Sequence, residues 1–117
     1  SIQSNGVVVQ QHVRVGRYSL IQSGCRVQKD VPPYIILGGN PAAYHGVNAV
    51  VLRHFNVSER ILRHIANTYR IIYTGNFSLE DAVIKIPEQI PMSEGIQKIL
   101  DFIKLAKNGI VRQIKEE

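Results

Sequence analysis

The chain has 117 residues, a formal net charge of +5 and a single cysteine, Cys25. This length allows one domain or two small ones, and one cysteine excludes an internal disulfide and fits a reducing, cytoplasmic compartment. No apolar stretch is long enough to cross a bilayer, so stable membrane insertion is not expected.

The positive charge is concentrated in the first half of the chain. Residues 1–57 carry five basic side chains and one acidic one, Asp30, whereas residues 58–117 carry nine basic and eight acidic ones. A cationic half suits an anionic ligand or an acidic protein partner, and it is equally compatible with arginines that are simply solvated. Aromatic and basic residues do not interleave as in nucleic-acid-binding motifs, so no nucleic-acid partner is expected.

Aliphatic residues recur at every sixth position near the start of the chain. They are Val9, Val15, Ile21 and Val27, and a second series, offset by four, contains the small or β-branched residues Val13, Ser19, Cys25 and Val31. This period predicts a parallel β-helix in which three hexapeptides form one coil and the aliphatic series stacks inside. Such coils cannot bury a core alone, so residues 1–34 are expected to continue an array of earlier coils.

The hexapeptide pattern stops at Val31-Pro32-Pro33, because consecutive prolines cannot donate to a sheet ladder. Residues 34–37 are an apolar run suited to a final strand, and Gly-Gly-Asn-Pro at 38–41 predicts a turn. We therefore divide the chain into the end of a β-helix over residues 1–41, a connector over 42–57 in which a helix can begin near residue 49, and a helical domain over 58–117.

Three serines predict the helices of the second half. Ser58 suits the N-cap of a helix over 59–74 that Gly75 ends, and Ser78 suits the N-cap of a second helix that Pro87 is expected to end or kink. Ser93 suits the N-cap of a third helix near 94–108, with Gly109 as its stop. The charged tail after residue 111 is expected to fray.

Several motifs in this order resemble one family of enzymes. They are Gly-Val-Val-Val-Gln-Gln at 6–11, Gln-Lys-Asp-Val-Pro-Pro-Tyr at 28–34, Gly-Asn at 39–40, Gly-Val-Asn at 46–48, Leu-Arg at 52–53, Tyr-Arg-Ile-Ile-Tyr at 69–73 and Lys-Asn-Gly-Ile-Val-Arg at 107–112. Together they resemble the C-terminal portion of the UDP-N-acetylglucosamine acyltransferases of lipid A biosynthesis. The Pro-Pro exit followed by Gly-Val-Asn and a helical domain is the most specific of these features.

The resemblance implies a fold, an assembly and a reaction. The fold would be the terminal coils of a left-handed parallel β-helix followed by a small helical domain, assembled as a homotrimer with active sites between neighbouring subunits. The reaction would move a 3-hydroxyacyl chain from acyl carrier protein to the 3-hydroxyl of UDP-N-acetylglucosamine, without a metal or another cofactor. The general base of this family is a histidine of earlier coils, so residues 1–117 alone are not expected to catalyse the transfer.

The same resemblance indicates which residues would contact the UDP-sugar. Gln11 matches the second residue of a His-Gln pair, and Gln10 replaces the histidine. Asn48 matches the asparagine of Gly-Val-Asn, although it could instead simply form a turn. Arg53 matches a cationic position, and His54 falls where a phosphate-contacting arginine is expected.

The cationic cluster after Leu52 departs from the family pattern, because Phe55 stands where a further cation is expected. The imidazole of His54 cannot form the two parallel hydrogen bonds that a guanidinium makes to phosphate, and the phenyl ring of Phe55 carries no charge. Three interpretations remain open: weaker diphosphate binding, a phosphate site moved to side chains such as Arg14 or Arg17, or a diverged protein with another acceptor. A non-catalytic trimerisation or binding module is the alternative function.

The other histidines do not suggest a catalytic or metal centre. His12 is expected at the β-helix surface or a subunit interface, and His64 on the exposed side of the first long helix. His45 lies in the connector, where ligand contact is the less favoured interpretation. No histidines or carboxylates share the spacing of metal ligands, so no metal site is expected.

Overall fold

The computed structural model describes residues 2–3, 8–9, 14–22, 26–27, 29–39, 43–106 and 109–111. Within these residues, short strands come first and helices follow. The strands are β1 (Ile2–Gln3), β2 (Val8–Val9), β3 (Leu20–Ile21), β4 (Arg26–Val27), β5 (Ile35–Gly38) and β6 (Ala43–Val47). The helices are α1 (Ala49–His54), α2 (Glu59–Thr74), α3 (Leu79–Gln89) and α4 (Glu94–Lys104).

The strands of successive coils pair in parallel, as the hexapeptide period predicts. Val9 lies in register with Val27, three hexapeptides further along the chain. The next coil is shorter, because Val15 pairs with Val31 and Leu20 with Ile36, so two residues are missing between Val27 and Val31. Val31 therefore stacks on the first aliphatic series and not on the second, where the period had placed it. Inside these coils Ile21, Val27, Val31 and Leu37 are fully buried.

The Pro-Pro exit packs tightly against the preceding coil. The Gly16 N–H donates to the Val31 carbonyl at 2.7 Å, and the Ser19 hydroxyl donates to the Pro32 carbonyl at 2.8 Å. A Cβ atom on Gly16 would come within 2.7 Å of the Pro32 carbonyl carbon. Only glycine fits there, because backbone atoms cannot move aside as a side chain can.

Later segments of the chain cover two edges of the final coil. Strand β6 runs antiparallel to β5, with Ile35 opposite Val47, and the sequence analysis did not predict this strand. On another face, Ile110 bridges Asp30 in parallel and the Val111 N–H donates to the Asp30 carbonyl at 3.0 Å. Covered edges cannot recruit strands from other chains, so the stack ends here.

The three predicted serine caps are confirmed. The hydroxyl oxygens of Ser58, Ser78 and Ser93 accept the N–H groups of Ile61, Asp81 and Ile96, at 3.2, 3.1 and 3.4 Å. Helix α2 has the predicted bounds and Gly75 follows its last residue. No helix in the described part of the chain combines the length and apolarity needed to cross a membrane.

Of the two outcomes expected at Pro87, an end of α3 is excluded, and the predicted end of α4 was wrong. Pro87 does not end α3, which runs on to Gln89 because the Ile90 N–H still reaches the Ile86 carbonyl at 2.8 Å. Helix α4 ends at Lys104 and not near residue 108. It stops early because residues 110–111 return to the β-helix to pair with Asp30.

A partly buried cluster around Arg14 joins the β-helix to α4. The Arg14 Nε atom lies 3.1 Å from an Asp30 carboxylate oxygen, and Nη2 donates to the Phe102 carbonyl at 2.7 Å. The guanidinium also lies 4.2 Å from the centroid of the Phe102 ring. Because Asp30 also accepts the Arg14 backbone N–H, one ion pair fixes the coil corner and the helical domain together.

Tyrosines fill the contact between α2 and β6. The rings of Tyr44 and Tyr73 are stacked with centroids 4.3 Å apart, and Tyr69 is stacked near both. The Tyr69 hydroxyl donates to the Pro33 carbonyl, so it ties α2 to the coil exit. The buried Tyr73 hydroxyl has no hydrogen-bond partner among the described residues.

Removing the hydroxyls of Tyr69 and Tyr73 is expected to have opposite effects on stability. Tyr69→Phe loses a buried hydrogen bond and leaves the Pro33 carbonyl unpaired, at a cost of about 1–2 kcal/mol in the free energy of unfolding. Tyr73→Phe removes a buried group without a described partner, so stability should stay constant or rise by up to ~1 kcal/mol. Urea unfolding of both variants tests this difference, and equal losses would contradict it.

Stability is expected to fall at alkaline pH. Burial first, and then neighbouring tyrosines, raise the pKa of Tyr69 and of Tyr73 well above the ordinary value near 10. The folded state therefore keeps protons that the unfolded chain releases, so stability is full below the unfolded pKa and declines above it. Two such groups predict a loss of ~2 kcal/mol between about pH 10 and 11. Tyr73→Phe should lose about half as much over this range, because only Tyr69 then contributes, and identical pH profiles would exclude this cause.

Candidate functional site

The predicted ligand residues that the structure describes lie at the two ends of one short helix. Asn48 is the N-cap of α1, and Arg53 and His54 form its last turn. The helix begins where β6 leaves the last coil, so the coil exit sets its position. Gln10 and Gln11 lie outside the described residues, as does His12.

Asn48 is buried and its carboxamide is used by the protein itself. Its side chain is 3% exposed, Nδ2 donates to the Tyr18 carbonyl at 3.1 Å, and Oδ1 accepts the Val51 N–H at a longer 3.5 Å. Its backbone N–H donates to the Tyr34 carbonyl at 2.7 Å. A carboxamide has two N–H donors and two acceptor lone pairs, so one of each remains free of these bonds.

Arg53 is exposed and paired with a residue that the sequence analysis missed. Its Nε donates to Oε1 of Glu59 at 2.9 Å and its Nη2 to Oε2 at 3.4 Å. The hydrogen bond from Arg53 and its charge lower the pKa of the Glu59 carboxyl. The sequence contains one signal for this ion pair. Glu59 directly follows the Ser58 N-cap, so it lies only a few residues after the end of α1. His54 is also exposed and meets the Phe55 ring edge-on, with centroids 5.2 Å apart.

Phe55 lies on the coil and carries a large exposed surface. Its ring packs on Tyr18 with centroids 4.8 Å apart and an interplanar angle of 32°, yet the residue is 55% exposed. Tyr18 is stacked in turn near Tyr34, at 6.2 Å. These three aromatic residues and Arg17 line part of a cleft of about 250 Å³ between the coil corner and the helical domain.

The structure distinguishes the two arginines considered for a displaced phosphate site. Arg14 is engaged by Asp30 and by the Phe102 carbonyl, so it is not available to a ligand without breaking that cluster. Arg17 is exposed, and its guanidinium lies 5.8 Å from the Tyr18 ring centroid. A phosphate site moved to Arg14 is therefore disfavoured, and Arg17 remains available.

The histidines outside α1 are placed differently from one another. His45 is exposed on β6 and lies close to Gly38. The prediction that His64 is solvent-exposed was wrong: it is half-buried on α2, and its buried Nδ1 atom has no partner among the described residues. In the same part of the chain, no group of three or more histidine, cysteine or acidic side chains is placed to hold a metal ion. The arrangement can bind an anion but presents no assembled acid–base pair.

The chain matches a known family over most of its length. A family model described as Udp N-acetylglucosamine O-acyltransferase, domain 2, matches residues 30–111. Acyl-[acyl-carrier-protein]–UDP-N-acetylglucosamine O-acyltransferase from Halorhodospira halophila is 34% identical over 105 residues, which are 90% of this chain and 41% of that protein. Its counterpart from Paraburkholderia phymatum is 32% identical over 108 residues, again covering 41% of that protein.

The backbone of this chain also superposes on solved structures of the same family. A UDP-N-acetylglucosamine acyltransferase from Bacteroides fragilis superposes with a TM-score of 0.89 at 43% identity, over 95% of this chain and 46% of that one. The structure from Acinetobacter baumannii gives 0.91 at 27% identity, over 95% of this chain and 43% of that one. The likeness confirms the predicted fold class, and the chain spans less than half of each relative. The chain therefore belongs to the UDP-N-acetylglucosamine O-acyltransferase family, as a C-terminal portion made of terminal left-handed β-helix coils and a helical domain.

Proposed function

We propose that this chain is the C-terminal part of an acyltransferase that moves a 3-hydroxyacyl chain from acyl carrier protein to the 3-hydroxyl of UDP-N-acetylglucosamine in lipid A biosynthesis. The donor and the acceptor are those for which its relatives from Halorhodospira halophila and Paraburkholderia phymatum are named. The role we assign to this part is to contact the nucleotide and to hold a cytoplasmic homotrimer together.

The observation that supports this role best is the position of α1. Asn48 fixes the start of the helix on the coil, and Arg53 and His54 project at its other end, both exposed. In our proposal these two side chains contact the diphosphate, and Asn48 with Gln11 and Gln10 contacts the rest of the UDP-sugar. Cations are also favourable in the last turn of a helix, so their positions cost no stability.

The general base of the reaction is proposed to come from coils that precede this chain. A sugar hydroxyl is a weak nucleophile, so the transfer needs a positioned base that accepts its proton. No described histidine here donates to or accepts from a carboxylate that could orient it for this task. We therefore expect the 117 residues alone to bind ligand and to leave the thioester intact.

The exposed apolar side chains support the assembly. Val50, Ile84 and Leu105 are each more than half exposed, so they are available for contact with other subunits. In the proposed trimer some of these surfaces face neighbouring subunits. Exposed arginines on α2, at positions 60, 63 and 70, would face the carrier protein.

Glu59 is expected to compete with phosphate for Arg53. Glu59→Gln keeps the size of the side chain but removes the charge, so the affinity for UDP should rise severalfold, and more at low salt. Arg53→Gln should lower that affinity about tenfold, because a charge-assisted bond to phosphate is lost. Isothermal titration with UDP measures both changes, and Lys85→Gln on α3 is a control remote from α1. A weaker affinity in Glu59→Gln would contradict the competition.

The proposed reaction is tested by restoring earlier coils. We expect a chimera with the N-terminal coils of the Bacteroides fragilis relative to release free thiol from 3-hydroxyacyl carrier protein only when UDP-N-acetylglucosamine is present. The 117-residue chain alone should release none. A folded, trimeric chimera that releases no thiol would contradict the acyltransferase proposal. It would favour the alternative of a non-catalytic trimerisation or binding module, which the departures at Gln10, His54 and Phe55 support.

A further inference from the structure

Phe55 occupies a position that the family pattern assigns to a cation, and the structure shows that this phenyl ring has its own supporting surface. One face of the ring packs on Tyr18, while more than half of the residue remains exposed. The Phe55 backbone N–H donates to the Val51 carbonyl at 3.1 Å, so the end of α1 holds the ring in place. An apolar ring that is fixed but open is suited to contact a flat ligand.

The supporting tyrosines are held in an unusual backbone conformation. Tyr18 and Tyr34 have φ angles of 59° and 70°, in the left-handed region that favours glycine. This conformation is unfavourable for residues that carry a Cβ atom. The two residues occupy equivalent corners of successive coils, since the Tyr34 N–H donates to the Arg17 carbonyl. The Tyr18 ring is partly exposed and meets Phe55, whereas Tyr34 is buried, with 5% of the residue exposed.

A cation is placed beside this aromatic surface. The Arg17 guanidinium lies 5.8 Å from the Tyr18 ring centroid, and Phe55 packs on the same tyrosine. Arg17 also lines the cleft beside the rings, together with Lys98 and Glu94, which pair with each other at 3.3 Å, so Arg17 supplies the unbalanced positive charge. An aromatic surface next to a net positive rim matches a ligand that combines a planar base with phosphates.

We propose that Phe55 and Tyr18 form a stacking platform for the uracil base of the UDP-sugar and that Arg17 contacts its phosphates. This inference rests on the proposed function, and it assigns binding to three side chains that are not among the ligand residues of the family pattern. Stacking on Phe55 would replace part of the affinity that a second arginine would have supplied. It also gives a physical reason for an exposed phenylalanine in a cationic segment.

The platform is tested by titration with UMP and with ribose 5-phosphate, which lacks the base. The matched variants are Phe55→Leu, which keeps an apolar side chain without a ring, and Phe55→Trp, which keeps the ring. We expect Phe55→Leu to bind UMP about tenfold more weakly and ribose 5-phosphate unchanged. Arg17→Gln should weaken both ligands. Phe77→Leu, at the other partly exposed phenylalanine near α3, should change neither.

Phe55→Trp adds a direct readout, because the chain contains no other tryptophan. UMP should quench its fluorescence saturably, and ribose 5-phosphate should not. Equal UMP affinity in wild type and Phe55→Leu would overturn the platform, as would a wild-type chain that binds UMP no better than ribose 5-phosphate. Thiol release by the chimera decides the acyltransferase proposal separately, so failure of the platform and failure of that function are distinguishable.

Discussion

The carboxamide of Asn48 is the interaction on which the position of the candidate site depends. The carboxamide joins the Tyr18 corner of one coil to the first turn of α1, and the Asn48 backbone N–H adds a bond to the Tyr34 corner of the next coil. An alanine at this position would leave the Tyr18 carbonyl without this donor, at the cost of a buried hydrogen bond. Through this contact, the coil corners determine where the last turn of α1 and Phe55 lie.

The shortened last coil determines how the helical domain is attached to the β-helix. Because this coil has two residues fewer between Val27 and Val31 than the six-residue period requires, Asp30 lies at a corner. There it binds Arg14 and pairs with Ile110. The helical domain is therefore attached to the coils on two sides, by α1 near Asn48 and by α4 near Arg14. A rigid attachment suits a surface that must hold cations and aromatic rings at fixed distances from a ligand.

The sequence predicted those features that depend on local pattern. The six-residue period indicated the coils, the prolines their end, and three serines the helix starts, because each signal acts within a few residues. Strand β6, the shortened coil and the early end of α4 depend on pairing between distant segments, which periodicity does not reveal. The same limit applies to the site: Asn48 and Arg53 were found by motif, but their partners Tyr18 and Glu59 follow only from the fold. As contacts of the UDP-sugar, all five residues stay predictions: Gln10, Gln11, Asn48, Arg53 and His54.

The central claim, that Asn48 anchors α1 to the coil, is tested most directly by amide hydrogen exchange in wild type and Asn48→Ala. The account predicts that the Leu52 and Phe55 amides exchange about 5- to 30-fold faster in the variant, as expected for loss of a cap and a buried tie worth ~1–2 kcal/mol. The Gln97 amide of α4, which bonds the Ser93 carbonyl, should keep its protection. Unchanged protection of α1, or equal loss in α1 and α4, would contradict the claim.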